Sequence, residues 1–380
     1  FKTVSKLGYL NTTLILFSYL KSVIFPIKNE KSLEDFFINR FGVRLYQTFF
    51  KDYTEKVWGV SCSEISAEWG AQRIKGLSIT KTILDVLQKP FRKKDINQKN
   101  TETSLIEYFL YPKYGPGQLW TKVAELIEEK GGILHKNAKV IQLNGAKELI
   151  SALVETGKEK IQSTITFDYC ISTMSVKDLF NAFSFTIPSD IKYISDNLVY
   201  RDFITVGILL DKTKIELNDN WIYIQESYVK VGRIQVFNNW SPFLVKESHT
   251  IWLGLEYFCN ESDTLWQLNE EELIALATQE LIQLGFINAS ENVLDATVIK
   301  VPKTYPAYFG AYNEFYKIRE FVDPIDNLFL VGRNGMHKYN NQDHSMLTAM
   351  QAVQNIKNGV LSKENIWSIN TEEEYHEEKK

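Results

Sequence analysis

Cysteine is scarce in this chain, and its placement excludes two architectures. Cys62, Cys170 and Cys259 are three in 380 residues, odd in number, far apart and without a Cys-x-x-Cys pair. That spacing argues against a disulfide framework and against a cysteine zinc site, and it fits a reducing, cytoplasmic compartment. The five histidines are scattered, and neither a His-Glu-x-x-His zinc motif nor a catalytic triad stands out. No apolar run reaches the roughly twenty residues that a bilayer span needs. Charge of one sign is not in marked excess either. A net charge of −4 gives no general attraction for nucleic acid, so an anionic ligand must be held by a local cluster of arginines.

What is present is ample core material. With 44% apolar and 13% aromatic residues, the chain suffices for one large domain or two ordinary ones. Residues 7–25 carry Leu10, Leu14, Phe17, Leu20 and Ile24 at steps of three and four, which predicts an amphipathic helix stopped by Pro26 and packed on the body of the protein. Ser32-Leu33-Glu34-Asp35 is a capping box opening a helix that carries Phe36, Phe37, Phe41, Leu45 and Phe49. Residues 88–103 are rich in Lys, Gln and Asn and read as an exposed, mobile loop able to gate a cleft. Tyr111-Pro112-Lys113-Tyr114-Gly115-Pro116-Gly117 makes a rigid turn before a helix over 118–130. Alternation over 138–143, 148–154 and 161–167, with glycine at the turns, predicts a β-meander. A buried strand over 168–173 and a helix from Val176 follow. Residues 198–258 form a block of alternating strands, a second sheet. A helix over 268–284 and a strand over 296–301 come next, and 372–380 is a solvated tail.

Near the carboxyl end, Phe329-Leu330-Val331-Gly332-Arg333-Asn334-Gly335 runs into Met336-His337-Lys338-Tyr339-Asn340-Asn341-Gln342-Asp343. An apolar strand, two glycines forcing a tight turn and a helix from about Asp343 compose an anion cradle. Free N–H groups at a helix start favour a phosphate or an electron-rich ring edge. Arg333 adds a permanently charged fork, and His344 reads as a polar cap.

Read as Gly-Arg-x-Gly-x-x-x-Tyr, this stretch resembles the flavin-binding segment of the UDP-galactopyranose mutases, within the amine oxidase and protoporphyrinogen oxidase superfamily of flavoenzymes. Tyr53-Thr54-Glu55-Lys56-Val57-Trp58-Gly59 is a second point of likeness, since Tyr-Thr-x-Lys-x-Trp-Gly is a hallmark of those mutases. Gly232-Arg233-Ile234 is similar to a mutase stretch whose arginine sits on a flexible element and clamps a diphosphate; the alternative is a surface arginine on an edge strand. The chain departs from the family in having His337 where tyrosine is usual and Asn341-Gln342 where Asp-Met is usual. Its Ile171-Ser172-Thr173-Met174 wording is nearer the amine and protoporphyrinogen oxidase branch.

The resemblance implies an α/β chain with α+β insertions: a glutathione-reductase-type FAD-binding fold, truncated at its N-terminus, with a helical segment and a substrate-facing sheet. It implies a helical cap region over 1–110, FAD-domain elements over 111–185 and a substrate-binding β-rich domain over 186–320. The C-terminal strand-turn-helix over 321–362 again meets FAD, and 363–380 is the tail. Tyr53, Trp58, Arg73, Arg233, Arg333 and Tyr339 are its candidate substrate contacts. Gly115, Gly117, Gly332, Arg333, Gly335, Asn341, Gln342 and Asp343 are its candidate contacts to FAD. The implied reaction is attack by N5 of reduced FAD on the anomeric carbon of a nucleotide sugar, with the diphosphate leaving, in surface polysaccharide biosynthesis. The competing implication is an oxidoreductase of the same fold taking hydride from an amine or carbon substrate. No metal, nucleic acid or integral membrane segment enters either reading, and homodimer formation stays open.

Dinucleotide-binding folds place a Gly-x-Gly-x-x-Gly turn in their first βα unit, and this sequence, which opens at Phe1, contains no such turn after a strand. The expectation is a fragment lacking that unit. Purified by itself, the chain should therefore be colourless; a stoichiometric yellow flavin complex would overturn the expectation.

Overall fold

The structure is a computed structural model that describes residues 8–67, 70, 110–211 and 217–369. Arg73, the proposed loop over 88–103 and the tail over 372–380 lie outside the described residues. The strands are β1 (Ala138–Gly145), β2 (Leu149–Thr156), β3 (Ile161–Thr166), β4 (Cys170–Ser172), β5 (Tyr200–Asp211), β6 (Trp221–Tyr223), β7 (Arg233–Val236), β8 (Thr250–Cys259), β9 (Val293–Pro306) and β10 (Leu328–Leu330). They are interspersed with helices in a mixed α/β chain that divides into two compact units. One runs through Gln118 and takes in Asp202–Pro302; the other holds Leu119–Arg201 and the chain from Lys303 onward.

In the first unit a sheet of order β6-β7-β8-β5-β9 carries the core. Ile204, Val206, Ile208 and Leu210 repeat every second residue on β5 and are fully buried, as a strand with one covered face requires. They pack with Leu253 and Leu255 of β8 and with Leu273, Ala277 and Leu281, which lie on the helix Glu270–Gln283. The helix Leu33–Phe49 opens with the capping box read from the sequence: Ser32 Oγ accepts from the Asp35 N–H at 3.2 Å, and Asp35 Oδ2 accepts from the Ser32 N–H at 3.2 Å. Gly42 breaks that helix at φ +77. A Cβ there would lie 2.7 Å from the Tyr19 nitrogen, so only glycine lets the helix Tyr9–Ile24 cross so closely.

That crossing corrects one expectation. The helix Tyr9–Ile24 turns Ser22 inward, and its stripe of Leu10, Leu14, Phe17, Leu20 and Ile24 is exposed rather than packed on the protein.

The helix Lys51–Trp58 contains the Tyr-Thr-x-Lys-x-Trp-Gly stretch and ends at Gly59, whose φ of +69 is the left-handed cap that glycine favours. Lys56 reaches from it to three backbone carbonyls, of Ile224 at 3.3 Å, Glu226 at 2.6 Å and Val231 at 3.2 Å. From the other side, the Glu280 carboxylate accepts from the N–H groups of Lys230 at 2.6 Å and Val231 at 3.0 Å. The connection between β6 and β7 has few ladder partners of its own, and two opposite charges supply them. Burial pushes the Lys56 ammonium below its ordinary range, with the Glu280 carboxylate opposing that shift.

In the second unit β1, β2 and β3 form the antiparallel meander expected from their alternation. β4 pairs in parallel with β10. Asn327, just before β10, fixes the meander to that pair: its side chain accepts from the Leu149 N–H at 2.9 Å and donates to the carbonyls of Leu149 and Asp168. After β10 the chain makes a short helical turn, Gly332–Gly335. A Cβ on Gly335 would stand 2.5 Å from the Ser172 carbonyl oxygen. This glycine is therefore demanded by the neighbouring strand, whatever else approaches it. Beyond the turn His337 is fully buried, edge-on to Tyr200 and near Tyr312 and Phe315. Its Nε2–H donates to the Ala307 carbonyl at 3.1 Å, and Nδ1 has no hydrogen-bond partner. Burial holds this imidazole down at about 4.

Two outcomes follow from these contacts. Lys56→Met, which keeps the stem and removes the charge, leaves three carbonyls poorly satisfied and should cost about 2 kcal/mol of stability in urea unfolding; an unchanged midpoint would show the brace to be idle. Below pH ~6.5 an unfolded histidine takes up a proton that folded His337 refuses until about 4. Stability should fall by up to about 3 kcal/mol as pH drops through that window. Thermal melts of His337→Asn should show a shallower acid loss, and parallel curves for the two proteins would refute the assignment.

Candidate functional site

The sequence candidates fall into two groups, one in each unit. In the first unit, one face of the sheet packs on the helix Glu270–Gln283 and the other carries aromatic and charged side chains. Arg233 of β7 and Glu256 of β8 are direct cross-strand partners, and the Arg233 Nε–H donates to Glu256 Oε2. The other carboxylate oxygen accepts from the Gln235 side chain. Glu256 is 2% exposed; burial raises its pKa and the Arg233 charge opposes that. The guanidinium carbon lies 4.8 Å from the Trp221 ring centre and 4.9 Å from that of Phe258. Tyr53 packs edge-on to Tyr223 at 4.8 Å and to Phe258 at 6.5 Å, with its backbone N–H donating to Gln225 Oε1 at 3.2 Å.

The structure thus brings Tyr53 and Arg233 to one aromatic face. It corrects the edge-strand alternative for Arg233, because β7 lies between β6 and β8. Trp58, from the same helix as Tyr53, is 2% exposed and belongs to the packing of its unit. The sequence reading missed Trp221, Tyr223 and Glu256. Strand alternation marks Trp221 and Tyr223 as one-faced, but nothing local pairs Arg233 with a carboxylate 23 residues on.

Gly115 adopts φ +85, with its N–H donating to the Pro112 carbonyl at 3.0 Å, so glycine is needed there for the turn itself. A Cβ on Gly117 would meet nothing within 4 Å. The helix Gly117–Glu129 follows.

In the second unit the candidate residues gather around the turn after β10. Gly332 is left-handed at φ +73, a conformation costly for a residue with Cβ. The Arg333 Nε–H and Nη2–H both donate to the Asn340 carbonyl, at 3.1 and 2.6 Å, and Nη1–H donates to the Thr304 carbonyl at 3.1 Å. Its guanidinium carbon lies 5.0 Å from the Tyr339 ring centre and 5.4 Å from that of Tyr305, and the two rings stack at 5.3 Å. Three of its five N–H groups are thus spent on the protein, and the fork acts first as a brace.

The helix Gln342–Asn358 starts without a side-chain cap from Asn341. His344 Nδ1 lies 3.2 Å from Asp343 Oδ1, and a hydrogen bond from His344 holds the Asp343 carboxyl below its ordinary range. Trp120 Nε1–H donates to Gln342 Oε1 at 3.3 Å, a neighbour the sequence reading did not identify.

These residues fit a flavin ring edge better than a phosphate. Asn340 is 2% exposed, and its Nδ2 has no hydrogen-bond partner; neither has the buried Asp343 Oδ2. A buried donor and a buried acceptor left open beside an uncapped helix start suit the mixed donor and acceptor edge of a heterocycle. The Asp343 charge at this helix start already answers its dipole and disfavours a further anion there.

No protein-family model matches the chain. Among solved structures, reduced UDP-galactopyranose mutase is similar with a TM-score of 0.76 at 19% identity, over 96% of this chain and 77% of that one. An Exiguobacterium protein assigned as a protoporphyrinogen oxidase gives a TM-score of 0.59 at 12% identity, over 86% of this chain and 68% of that one. An oxidoreductase from Methanosarcina mazei gives 0.50 at 12% identity, over 87% of this chain and 69% of that one. Through nearly all of this chain the backbone is similar to that of UDP-galactopyranose mutase, and the fold is mutase-like.

Proposed function

We propose that this chain acts as an FAD-dependent enzyme of the mutase type on a nucleotide sugar, within a glutathione-reductase-type FAD-binding fold. The observation that carries the reading is the backbone likeness to the mutase over 96% of the chain, with two of the family's sequence stretches at folded positions. Reduced FAD, when bound, supplies a nucleophilic nitrogen for the anomeric carbon of the sugar.

The protein's own residues then have distinct tasks. The open Asn340 and Asp343 groups and the Gln342 side chain would hold the flavin edge, and Gly332 supplies the left-handed turn that precedes them. Arg333, held by the Asn340 and Thr304 carbonyls beside the stacked Tyr305 and Tyr339 rings, presents its two remaining N–H groups to a diphosphate oxygen, a charge-assisted contact that strengthens where water is excluded. Within the first unit, Tyr53, Trp221 and Tyr223 offer flat apolar surface.

One observation favours a second reading, an FAD-dependent oxidoreductase acting on an amine or carbon substrate. Arg233 is engaged with buried Glu256, and Arg333 with two carbonyls, so neither guanidinium is held solely for an anion. Hydride removal needs an apolar enclosure and no diphosphate clamp.

Titration with UDP in the presence of added FAD separates the two. On the mutase reading UDP binds, and Arg333→Ala weakens binding by about 30- to 150-fold, the loss of one charge-assisted contact of about 2–3 kcal/mol, while circular dichroism shows the variant folded. Indifference to UDP together with oxygen consumption on an amine or carbon substrate would replace this reading with the oxidoreductase.

A further inference from the structure

The helix Tyr9–Ile24 packs in the reverse of the usual sense for a surface helix. Its inward face meets the helix Leu33–Phe49 through small and polar groups: Ser18 Oγ accepts from the Arg44 N–H at 3.1 Å, and the Tyr19 backbone rests against Gly42. Ser22 is 7% exposed, whereas Leu10 is 79%, Phe17 65% and Ile24 66%. Leu20, Val23 and Phe25 are also exposed. On a helical projection at 100° per residue Leu20, Ile24, Phe17 and Leu10 fall on the arc opposite Ser22, with Thr13 among them and Lys21 at its edge. Among the described residues this arc is uncovered.

The charge around it is one-sided. The first 31 residues hold Lys2, Lys6, Lys21, Lys28 and Lys31 against a single acid, Glu30, in a chain whose net charge is −4. Glu30 is itself neutralised by Arg40 at 2.8 Å. Lys21, Lys28 and Lys31 are exposed. The helix has 16 residues, about 24 Å at 1.5 Å per residue, short of the ~30 Å hydrocarbon core. No helix among the described residues is long and apolar enough to cross a membrane.

We infer that the helix Tyr9–Ile24 lies in the plane of an anionic bilayer surface, its outward arc in the acyl boundary and its flanking lysines on lipid headgroups. An apolar face fits a second protein copy as readily as lipid; the lysines select the anionic surface, since a second copy would bring the same positive charge to the contact. Long lysine stems suit this place because they bury methylenes while keeping the ammonium at the headgroups. The anchorage is reversible and adds to whatever the flavin site does, without resting on the assignment of that site.

Flotation of the purified chain with vesicles of mixed phosphatidylcholine and phosphatidylglycerol tests the inference. Binding should fall at least about tenfold on pure phosphatidylcholine vesicles, and likewise in the double variant Phe17→Glu, Ile24→Glu, whose sites are exposed. Lys21→Glu with Lys28→Glu, on the solvent side of the fold, should lower binding to the anionic vesicles as well, and serves if the first variant misfolds. Absence of flotation, equal flotation on neutral vesicles, or a stable dimer in light scattering that the Phe17→Glu, Ile24→Glu variant dissolves without lipid binding would overturn it.

Discussion

Backbone that leaves regular structure must still satisfy its carbonyls and amides, and in this protein buried and half-buried charged or amide side chains meet that need. Lys56 and Glu280 hold the connection before β7 from two sides. Arg333 closes the segment after the Gly332 turn onto Asn340 and Thr304. Lys363, 5% exposed, donates to the carbonyls of Asp323 and Ile325 at the end of the helix Phe315–Val322, and burial draws its pKa down to about 8. Each cation sits where several carbonyls converge, which offsets much of the cost of taking a charge out of water. Remove one, and the segment it holds loses the definition that a binding surface requires.

This division of labour also explains why the candidate residues sit as they do. The sheet β6-β7-β8-β5-β9 is rigid by its ladder, so Trp221, Tyr223, Arg233 and Phe258 are fixed relative to one another by register. Tyr53 joins them because its helix is tied by Lys56 to the same connection. In the second unit the parallel pair β4 and β10 sets the height of the Gly332 turn, and the close approach of Gly335 to Ser172 leaves it little room to shift.

The regular elements were legible in the sequence wherever their period was strict. The meander alternates with glycines at its turns, so β1, β2 and β3 fall close to their expected bounds. Ser32 with Asp35 marked a helix start that the structure realises as a reciprocal hydrogen bond. What periodicity does not carry is direction: the spacing of Leu10, Leu14, Phe17, Leu20 and Ile24 states that they share a face, and only the demand of Gly42 for a close crossing turns that face outward. Partnership across strands was equally hidden. Arg233 reads alone as a ligand clamp, and its pairing with Glu256 exists only once β7 and β8 are in register. The role of Lys56 was concealed inside a motif whose aromatic residues drew attention, because three carbonyls from a distant loop leave no local mark.

The immobilised guanidinium of Arg333 has a thermodynamic corollary. A surface arginine surrenders roughly 1 kcal/mol or more of rotamer freedom when it grips an anion. Here that entropy is already spent in folding, on the carbonyls of Asn340 and Thr304 and beside two stacked tyrosine rings. An acceptor arriving at the two remaining N–H groups meets donors whose direction is set beforehand, so its geometry is selected by the protein rather than negotiated on contact.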